Sequence, residues 1–304
     1  MAYIDKDYDK IISALKKRIN TSTSVQSNTN QQVVINARKY REQEEKTLKN
    51  AQNAGYNSNL TVQSSQVKNK YYNGDDYAVT FDGFNVTLKN KTKNYTKTFN
   101  IYNFVSSMPE KDKIEFLKKI QTLPGEVLED LSVEMDRLKS STGQNMHINS
   151  NPNFTAGGYY SPDNDSITTS PKHIVHELGH AVDYDAKGKS SAANDPTFKA
   201  LFEQEMKQFI QAGNQRYDYN DNSTWANGVE TLMKKSNYCT ANEREMFAEI
   251  YTLCTTGECK SGATITQYFP KTFARGKELL QQARTNNINN RHNSPTRNII
   301  NSLS

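Results

Sequence analysis

The part of this chain with the clearest chemical content is a pair of histidines four residues apart, in the order His176, Glu177, Leu178, Gly179, His180. On an α-helix, residues four apart lie on the same face, so both imidazoles can bind one metal ion. Glu177 directly follows the first histidine and can reach the open side of that metal as a general base. The spacing therefore predicts zinc-assisted hydrolysis of a peptide bond.

Chance can also place these residue types in a helix, and the alternative is a solvated helix with two unrelated histidines. The chain has only five histidines, however, and three of them fall between residues 173 and 180. Their neighbours are largely apolar, which predicts a buried helix. His173 precedes the pair, and we expect it to be a polar residue near the cleft, because a fourth protein ligand would close a catalytic zinc site.

A third ligand is needed, and the segment 242–253 offers two carboxylates for this role. Asn242 is a favourable helix N-cap with Glu245 at the third helical position, as in a capping box. Glu245 and Glu249 are one turn apart, so one can bind zinc while the other orients a ligand imidazole. The alternative is that both are surface carboxylates.

These two motifs together carry a family resemblance. Residues 176–183 joined to residues 242–249 resemble the catalytic domain of anthrax lethal factor, whose fold the clostridial Pro-Pro endopeptidases share. The resemblance covers roughly residues 106–285 and includes Pro-Lys-Thr-Phe at 270–273 and Ala-Gly-Gly-Tyr-Tyr at 156–160. It implies an α+β fold, a mostly helical zincin of the gluzincin type with a small β-sheet.

The resemblance also implies a role for each residue that matches the family's motifs. The ligands implied for one Zn²⁺ per chain are His176, His180 and Glu245. Glu177 would be the base, and Tyr238, seven residues before the ligand glutamate, would donate a hydrogen bond to the oxyanion. Glu249 and Asp183 would support the ligands from outside. Tyr238 is also one of seventeen tyrosines, many of which we expect to be structural.

Substrate is expected to bind as an added strand on a sheet edge beside the motif helix. The candidate residues are Gly157, Gly158 and Tyr159, since glycines permit close backbone approach. The run 166–169 is the second candidate, and an ordinary Gly-rich hairpin is the alternative. The chain departs from the family in a longer stretch between the motif helices, with the surplus at 211–236, and in Cys239, which directly follows Tyr238.

Composition narrows the classes of protein and partner. The 304 residues carry a net charge of +5, and no run is long enough to cross a membrane. The first residues lack the features of a signal peptide, which predicts a cytoplasmic protein or export by a route that needs no such signal. Three cysteines cannot form a disulfide framework, so we expect free thiols, although Cys254 and Cys259 are close enough in sequence to pair.

The pattern along the chain predicts four regions. They are a basic, helical and partly disordered arm at 1–70, a β-meander at 71–105, the peptidase domain at 106–285 and a disordered tail at 286–304. Within the arm we expect a linker at 21–31, a charged helix with little core face at 33–53 and a loose segment at 54–70. Further helices are predicted at 109–123, 126–139, 196–211 and 272–285. The meander has three strands, within 77–81, 84–88 and 95–102.

The leading interpretation is an active zinc endopeptidase, either toxin-like or carried by a phage or mobile element, that acts on a protein or peptide. An intracellular metalloprotease that cuts a regulator would share the same site. The alternative class is a non-catalytic peptide- or partner-binding module in a phage or secretion assembly. A short amphipathic helix, which apolar residues at helical spacing predict at 1–20, would anchor it there. The complete set of candidate residues favours activity. The basic arm has no groove-reading motif, so no nucleic acid partner is expected.

Overall fold

The computed structural model of the chain describes residues 24–62, 69–142, 147–149, 158–162, 166–184, 189–217 and 237–292. The fold is α+β, about 59% helical, with a small antiparallel sheet. The predicted fold class is therefore confirmed at this level. The helix predicted at 1–20, most of the 211–236 surplus and the end of the tail lie outside the described residues.

The N-terminal part of the described chain is a long helix, α1 (Ser24–Asn53). The linker prediction is therefore wrong from residue 24 onward. The prediction of little core face is also wrong for the last turns of α1, where Thr47 and Ala51 are buried. Thr47 donates a hydrogen bond to Glu110 at the start of a later helix. The last turns of α1 thus bury a narrow row of residues, although the sequence of the helix is mostly polar. The pattern of hydrophobic residues does not reveal this row.

The predicted meander is confirmed, and it gains a fourth strand. Its strands are β1 (Thr61–Val62), β2 (Tyr77–Asp82), β3 (Asn85–Asn90) and β4 (Tyr95–Asn100). Neighbouring strands pair antiparallel in the order β1-β2-β3-β4. The segment 54–62 is consequently not loose: it contains β1, and Tyr56 is buried and donates a hydrogen bond to the carbonyl of Gly83. The polar sequence of that segment hides these tertiary contacts.

Three helices follow the meander: α2 (Tyr102–Val105), α3 (Glu110–Ile120) and α4 (Gly125–Thr142). A second sheet contains β5 (His147–Asn149), β6 (Gly158–Ser161) and β7 (Ser166–Thr169), in the order β5-β7-β6. β7 pairs parallel with β5 and antiparallel with β6, and all four of its residues are buried. The run 166–169 is therefore a central strand, and its prediction as the edge is wrong. β6 is an edge of the three described strands.

The remaining helices build the half of the molecule that carries the motif. They are α5 (Ile174–Asp183), α6 (Ser191–Asn194), α7 (Pro196–Gln211), α8 (Glu243–Thr256), α9 (Gly262–Tyr268) and α10 (Pro270–His292). The bounds of α7 match the prediction, because Asp195 caps it and Pro196 occupies its first turn. α10 continues to His292, so the prediction of a disordered tail is wrong for 286–292.

One hydrophobic core joins the meander to the later helices. A continuous cluster of buried side chains runs from Ala51 through the β-strands to Leu280 on α10. All three cysteines are free thiols. Within the described ranges, none of the helices combines the length and apolar character needed to cross a membrane.

Candidate metal centre

The close contact between α5 and α8 creates the site. At Gly179 an added Cβ would lie 3.0 Å from the Cα of Ala248 and 3.1 Å from the ring of Tyr251. Only a residue without a side chain lets the two helices approach this closely. The glycine inside the histidine motif therefore lets α5 pack closely against the middle of α8, whose first turn carries Glu245.

Three side chains converge at this contact. The Nε2 atom of His176 lies 3.1 Å from Oε2 of Glu245, and Nε2 of His180 lies 3.3 Å from the same oxygen. One ligand atom from each of these residues falls within 4.8 Å of the others. Two imidazole nitrogens and one carboxylate oxygen are the donor set of many catalytic zinc sites. The three residues predicted as ligands are thus together, on two helices that are far apart in sequence.

Burial and charge control the protonation of this group. Burial acts to lower the pKa of His176, but the carboxylates of Glu245 and Glu249 outweigh it and raise that pKa well above its usual value. Burial also acts to lower the pKa of His180, but the carboxylate of Glu245 outweighs it and raises that pKa above its usual value. Burial would raise the pKa of Glu245, whereas His180 and His176 hold it well below its usual value. The two histidines therefore favour the ionised form of the Glu245 carboxylate in a nearly closed environment.

The first turn of α8 is fixed by its N-cap. The side chain of Asn242 accepts hydrogen bonds from the amides of Arg244 and Glu245, at 2.9 and 3.0 Å. This confirms the predicted N-cap. Because the cap satisfies amides that the helix itself leaves unbonded, it fixes the backbone at the residue that presents its carboxylate to the histidines.

Glu249 lies one turn further along α8, on the other side of the first histidine. Its Oε1 atom is 3.1 Å from Nδ1 of His176, and its Oε2 atom accepts a hydrogen bond from the amide of Ser261 at 3.3 Å. Cys259 also hydrogen-bonds this carboxylate, and burial raises the pKa of its thiol above the usual range. Glu249 is therefore placed where it can orient the imidazole, the position that the resemblance implies. The bond from Cys259 is not predicted by the sequence pattern.

Glu177 is almost fully buried beside the three ligand candidates. Its Oε2 atom has no hydrogen-bond partner among the described residues. Burial raises the pKa of this carboxyl group, and the two motif histidines act against that rise. A buried acceptor without a partner costs free energy unless something binds it. The carboxylate thus fits a site that holds a metal ion and a polar group for the base to engage.

Tyr238 lies in a short 3₁₀ turn, Tyr238–Thr240, just before α8. The centroid of its ring is 5.8 Å from that of His176. Tyr217 packs edge-on against the same ring, at 5.2 Å between centroids. Arg216 donates a hydrogen bond to the carbonyl of Thr240 at 2.9 Å, which holds the turn in place. The sequence pattern predicts neither Arg216 nor Tyr217, because both contacts join residues more than twenty positions apart.

Asp183 hydrogen-bonds the chain that follows the motif helix. Its carboxylate accepts hydrogen bonds from the hydroxyl of Ser190 and from the amide of Ala192, the latter at 2.8 Å. Contact with a ligand histidine, the role implied by the resemblance, is not among its hydrogen bonds within the described residues. Asp183 instead ties the end of the motif helix to the start of α6.

The remaining residues that the sequence singles out are the predicted substrate-binding residues and His173. Gly158 and Tyr159 lie on β6, which packs against the motif helix, and Tyr159 is 48% exposed. Gly157 lies outside the described residues. His173 occupies the N-cap position of α5, where burial lowers the pKa of its imidazole to about 4, and it is not part of the group of three.

Comparison with known proteins adds no relative to this picture. No model of a protein family matches the chain, and no curated protein matches it significantly.

Proposed function

We propose that this chain is a zinc-dependent endopeptidase with a catalytic centre of the gluzincin type, similar to the lethal factor family. The observation that carries the proposal is the convergence of two imidazole nitrogens and a carboxylate oxygen beside the buried carboxylate of Glu177, whose Oε2 atom has no hydrogen-bond partner among the described residues. His176, His180 and Glu245 would hold the ion. Bound there, zinc supplies Lewis acidity, which acidifies water and polarises a carbonyl group.

The residues of the chain perform the proton transfers. Glu177 accepts a proton from the attacking water on its carboxylate and then delivers it to the nitrogen of the leaving amine. The burial that raises the pKa of this carboxyl group makes it a better base than an exposed glutamate. Tyr238 donates its phenol hydrogen to the oxygen on which negative charge develops. Glu249 contacts Nδ1 of His176 and fixes the ring with Nε2 towards Glu245, where these residues would hold the ion.

A peptide is the substrate class that best suits the surroundings. β6, an edge of the three described strands of its sheet, passes beside Glu177, and a strand edge can bind an extended chain through main-chain hydrogen bonds. Such pairing recognises the main chain of the substrate and not its side chains, so it is suited to proteins and peptides in general. A toxin-like effector and a protease that cuts an intracellular regulator share this chemistry and differ only in target.

The decisive experiment compares the wild-type protein with Glu177→Gln, using Glu203→Gln on the exposed face of α7 as the matched control. Metal content is measured by mass spectrometry and hydrolysis is measured on a mixed peptide library. We expect one zinc per chain in all three proteins, and cleavage by the wild-type protein and by Glu203→Gln. In Glu177→Gln the rate should fall by at least about 10²–10⁴-fold.

Two results would contradict the proposal. If the wild-type protein binds zinc but cleaves neither the library nor unfolded proteins, the site is a binding module and not a peptidase. If no zinc is bound under any loading condition, the metal centre itself is wrong.

A further inference from the structure

Gly158 on β6 faces the general base of the proposed site. A Cβ built on its backbone would lie 2.7 Å from Oε1 and 2.8 Å from Cγ of Glu177. It would also lie 2.7 Å from the hydroxyl oxygen of Thr169, its partner on β7. Real Cβ atoms essentially never come this close to other heavy atoms. The volume that a side chain would fill at this position is therefore already occupied, mainly by the side chain of Glu177.

The requirement for glycine here is one of space and not of backbone conformation. The described glycines with positive φ are Gly55, Gly83, Gly213 and Gly257. Gly158 is not one of them, so its backbone is open to alanine. It lies in a regular antiparallel pairing of β6 with β7. Alanine is consequently excluded only by the atoms that it would displace, and among these the Oε1 atom of Glu177 is the end of a side chain that can rotate.

Hydrogen bonding leaves Glu177 only partly constrained. The Oε2 atom has no partner within the described part of the chain, although the side chain is almost completely buried. Packing must therefore supply part of the constraint that hydrogen bonds usually give. The bare backbone of β6 at Gly158 is the wall against which the Oε1 atom and the Cγ atom rest.

We propose that Gly158 is a positioning residue for Glu177: the absence of a side chain gives the carboxylate its place beside the two histidines. The catalytic consequence rests on the proposed function, whereas the packing relationship does not. This role differs from the one that the sequence predicts for Gly158. There, the glycine lets the backbone of the substrate approach the edge of the sheet. A larger residue at 158 would displace the carboxylate even if substrate bound normally.

The packing relationship is tested on the metal-free protein with a double-mutant cycle in thermal unfolding. Gly158→Ala should lower Tm by roughly 2–12 °C, as expected for an overpacked methyl group in a domain of more than 150 residues. In the Glu177→Ala background, where the obstructing side chain is gone, at least half of that loss should disappear. Gly158→Ala in a Thr169→Ala background is the parallel control.

Each outcome of the cycle decides the matter. If Gly158→Ala fails to fold alone but folds in the Glu177→Ala background, the result supports the proposal in its strongest form. If the loss is the same with and without the Glu177 side chain, or if only Thr169→Ala relieves it, the proposal is overturned. Failure to fold in every background also overturns it, because the cost would then not depend on Glu177.

The catalytic consequence is tested separately in the zinc-loaded protein. Gly158→Ala should keep one zinc per chain, because the three atoms nearest to a Cβ at 158 belong to Glu177 and Thr169 and to none of the ligand candidates. Its kcat should fall about 10²-fold with little change in KM, since a misplacement of about 1 Å is costly. A rise in KM with unchanged kcat would show a substrate contact instead and would overturn the positioning role. If the wild-type protein is inactive, the proposed function fails while the unfolding cycle still decides the packing.

Discussion

Glu249 approaches His176 from the side opposite Glu245. Its Oε1 atom lies 3.1 Å from Nδ1, while Oε2 of Glu245 lies 3.1 Å from Nε2 of the same ring. A carboxylate at Nδ1 stabilises the tautomer that carries its proton there, which leaves the lone pair of Nε2 directed at the ligand group. One helix thus supplies both a candidate ligand and a carboxylate placed to orient a second candidate ligand, because the two glutamates are one turn apart.

The first prediction concerns this orienting carboxylate. Glu249→Ala should weaken zinc binding by about 10–100-fold, because the imidazole loses the partner that fixes its tautomer and its rotation. Competition with a fluorescent chelator measures the affinity. The zinc affinity of Glu249→Gln should lie between those of the wild-type protein and Glu249→Ala, because the amide oxygen of glutamine can still accept a hydrogen bond from Nδ1. Glu258→Ala, at an exposed position after α8, is the control, and equal zinc affinity for it and Glu249→Ala would contradict the assignment.

A second prediction follows from the helix contact at Gly179. Gly179→Ala adds a Cβ against the backbone of Ala248, which cannot rotate away, so α5 and α8 must separate. We expect a loss of about 1–3 kcal/mol in the free energy of unfolding. We also expect weaker zinc binding, because Glu245 moves with α8.

The matched control for this substitution is Gly262→Ala. There the nearest atom is the end of the Leu253 side chain, at 3.2 Å, and it can shift at low cost. Chemical denaturation and chelator competition are measured on both variants. If both lower zinc affinity equally, the effect reports general destabilisation, and the special role of the contact at Gly179 is refuted.

The sequence predicts those parts of the fold and site that depend on local pattern. The helix repeat, the cap at Asn242 and the four-residue spacing of His176 and His180 all lie within one or two turns, and the structure has them as expected. Contacts between distant segments leave no such pattern. Glu205 illustrates the difference, because its carboxylate accepts from the amides of Lys271 and Thr272, more than sixty residues away, and so caps α10. Nothing near Glu205 in the sequence indicates that role.

The positioning of Tyr238 gives a third prediction. Tyr238→Phe should lower kcat by about 10²–10³-fold without loss of zinc, as when one oxyanion donor is removed. Tyr217→Leu removes the ring that packs against Tyr238 and should also lower kcat. In the Tyr238→Phe background, however, Tyr217→Leu should lower kcat almost no further, because Tyr217 acts through the phenol group of Tyr238.

Steady-state kinetics on the four proteins of this cycle provide the measurement. Tyr217→Phe keeps the edge-on ring contact and should retain most of the activity. Strictly additive effects of Tyr217→Leu and Tyr238→Phe would show that Tyr217 acts by another route. Such a result would remove it from the set of positioning residues.

The last prediction concerns a buried charge network behind the site. Arg284 on α10 pairs with Asp130 at 2.6 Å and with Glu126 at 2.9 Å, and all three are buried. Tyr251 on α8 donates a hydrogen bond to Asp130 at 2.9 Å, so the network also holds the helix that carries Glu245. Arg284→Met should lower the free energy of unfolding by about 3–5 kcal/mol, because two carboxylates remain buried without their cation.

The pH dependence of that loss has a definite sign. Burial raises the pKa of Glu126, and Arg284 counteracts the rise in the wild-type protein. Without the arginine the carboxyl group takes up a proton at higher pH, and once neutral it no longer costs the energy of a buried charge. The destabilisation by Arg284→Met, measured in urea on the metal-free protein, should therefore be greatest near neutral pH and shrink on acidification. Arg275→Met, which breaks a partly exposed pair with Asp195, should cost at most about 1 kcal/mol. A loss from Arg284→Met that is independent of pH would mean that the cost comes from lost packing, and the electrostatic explanation would be wrong.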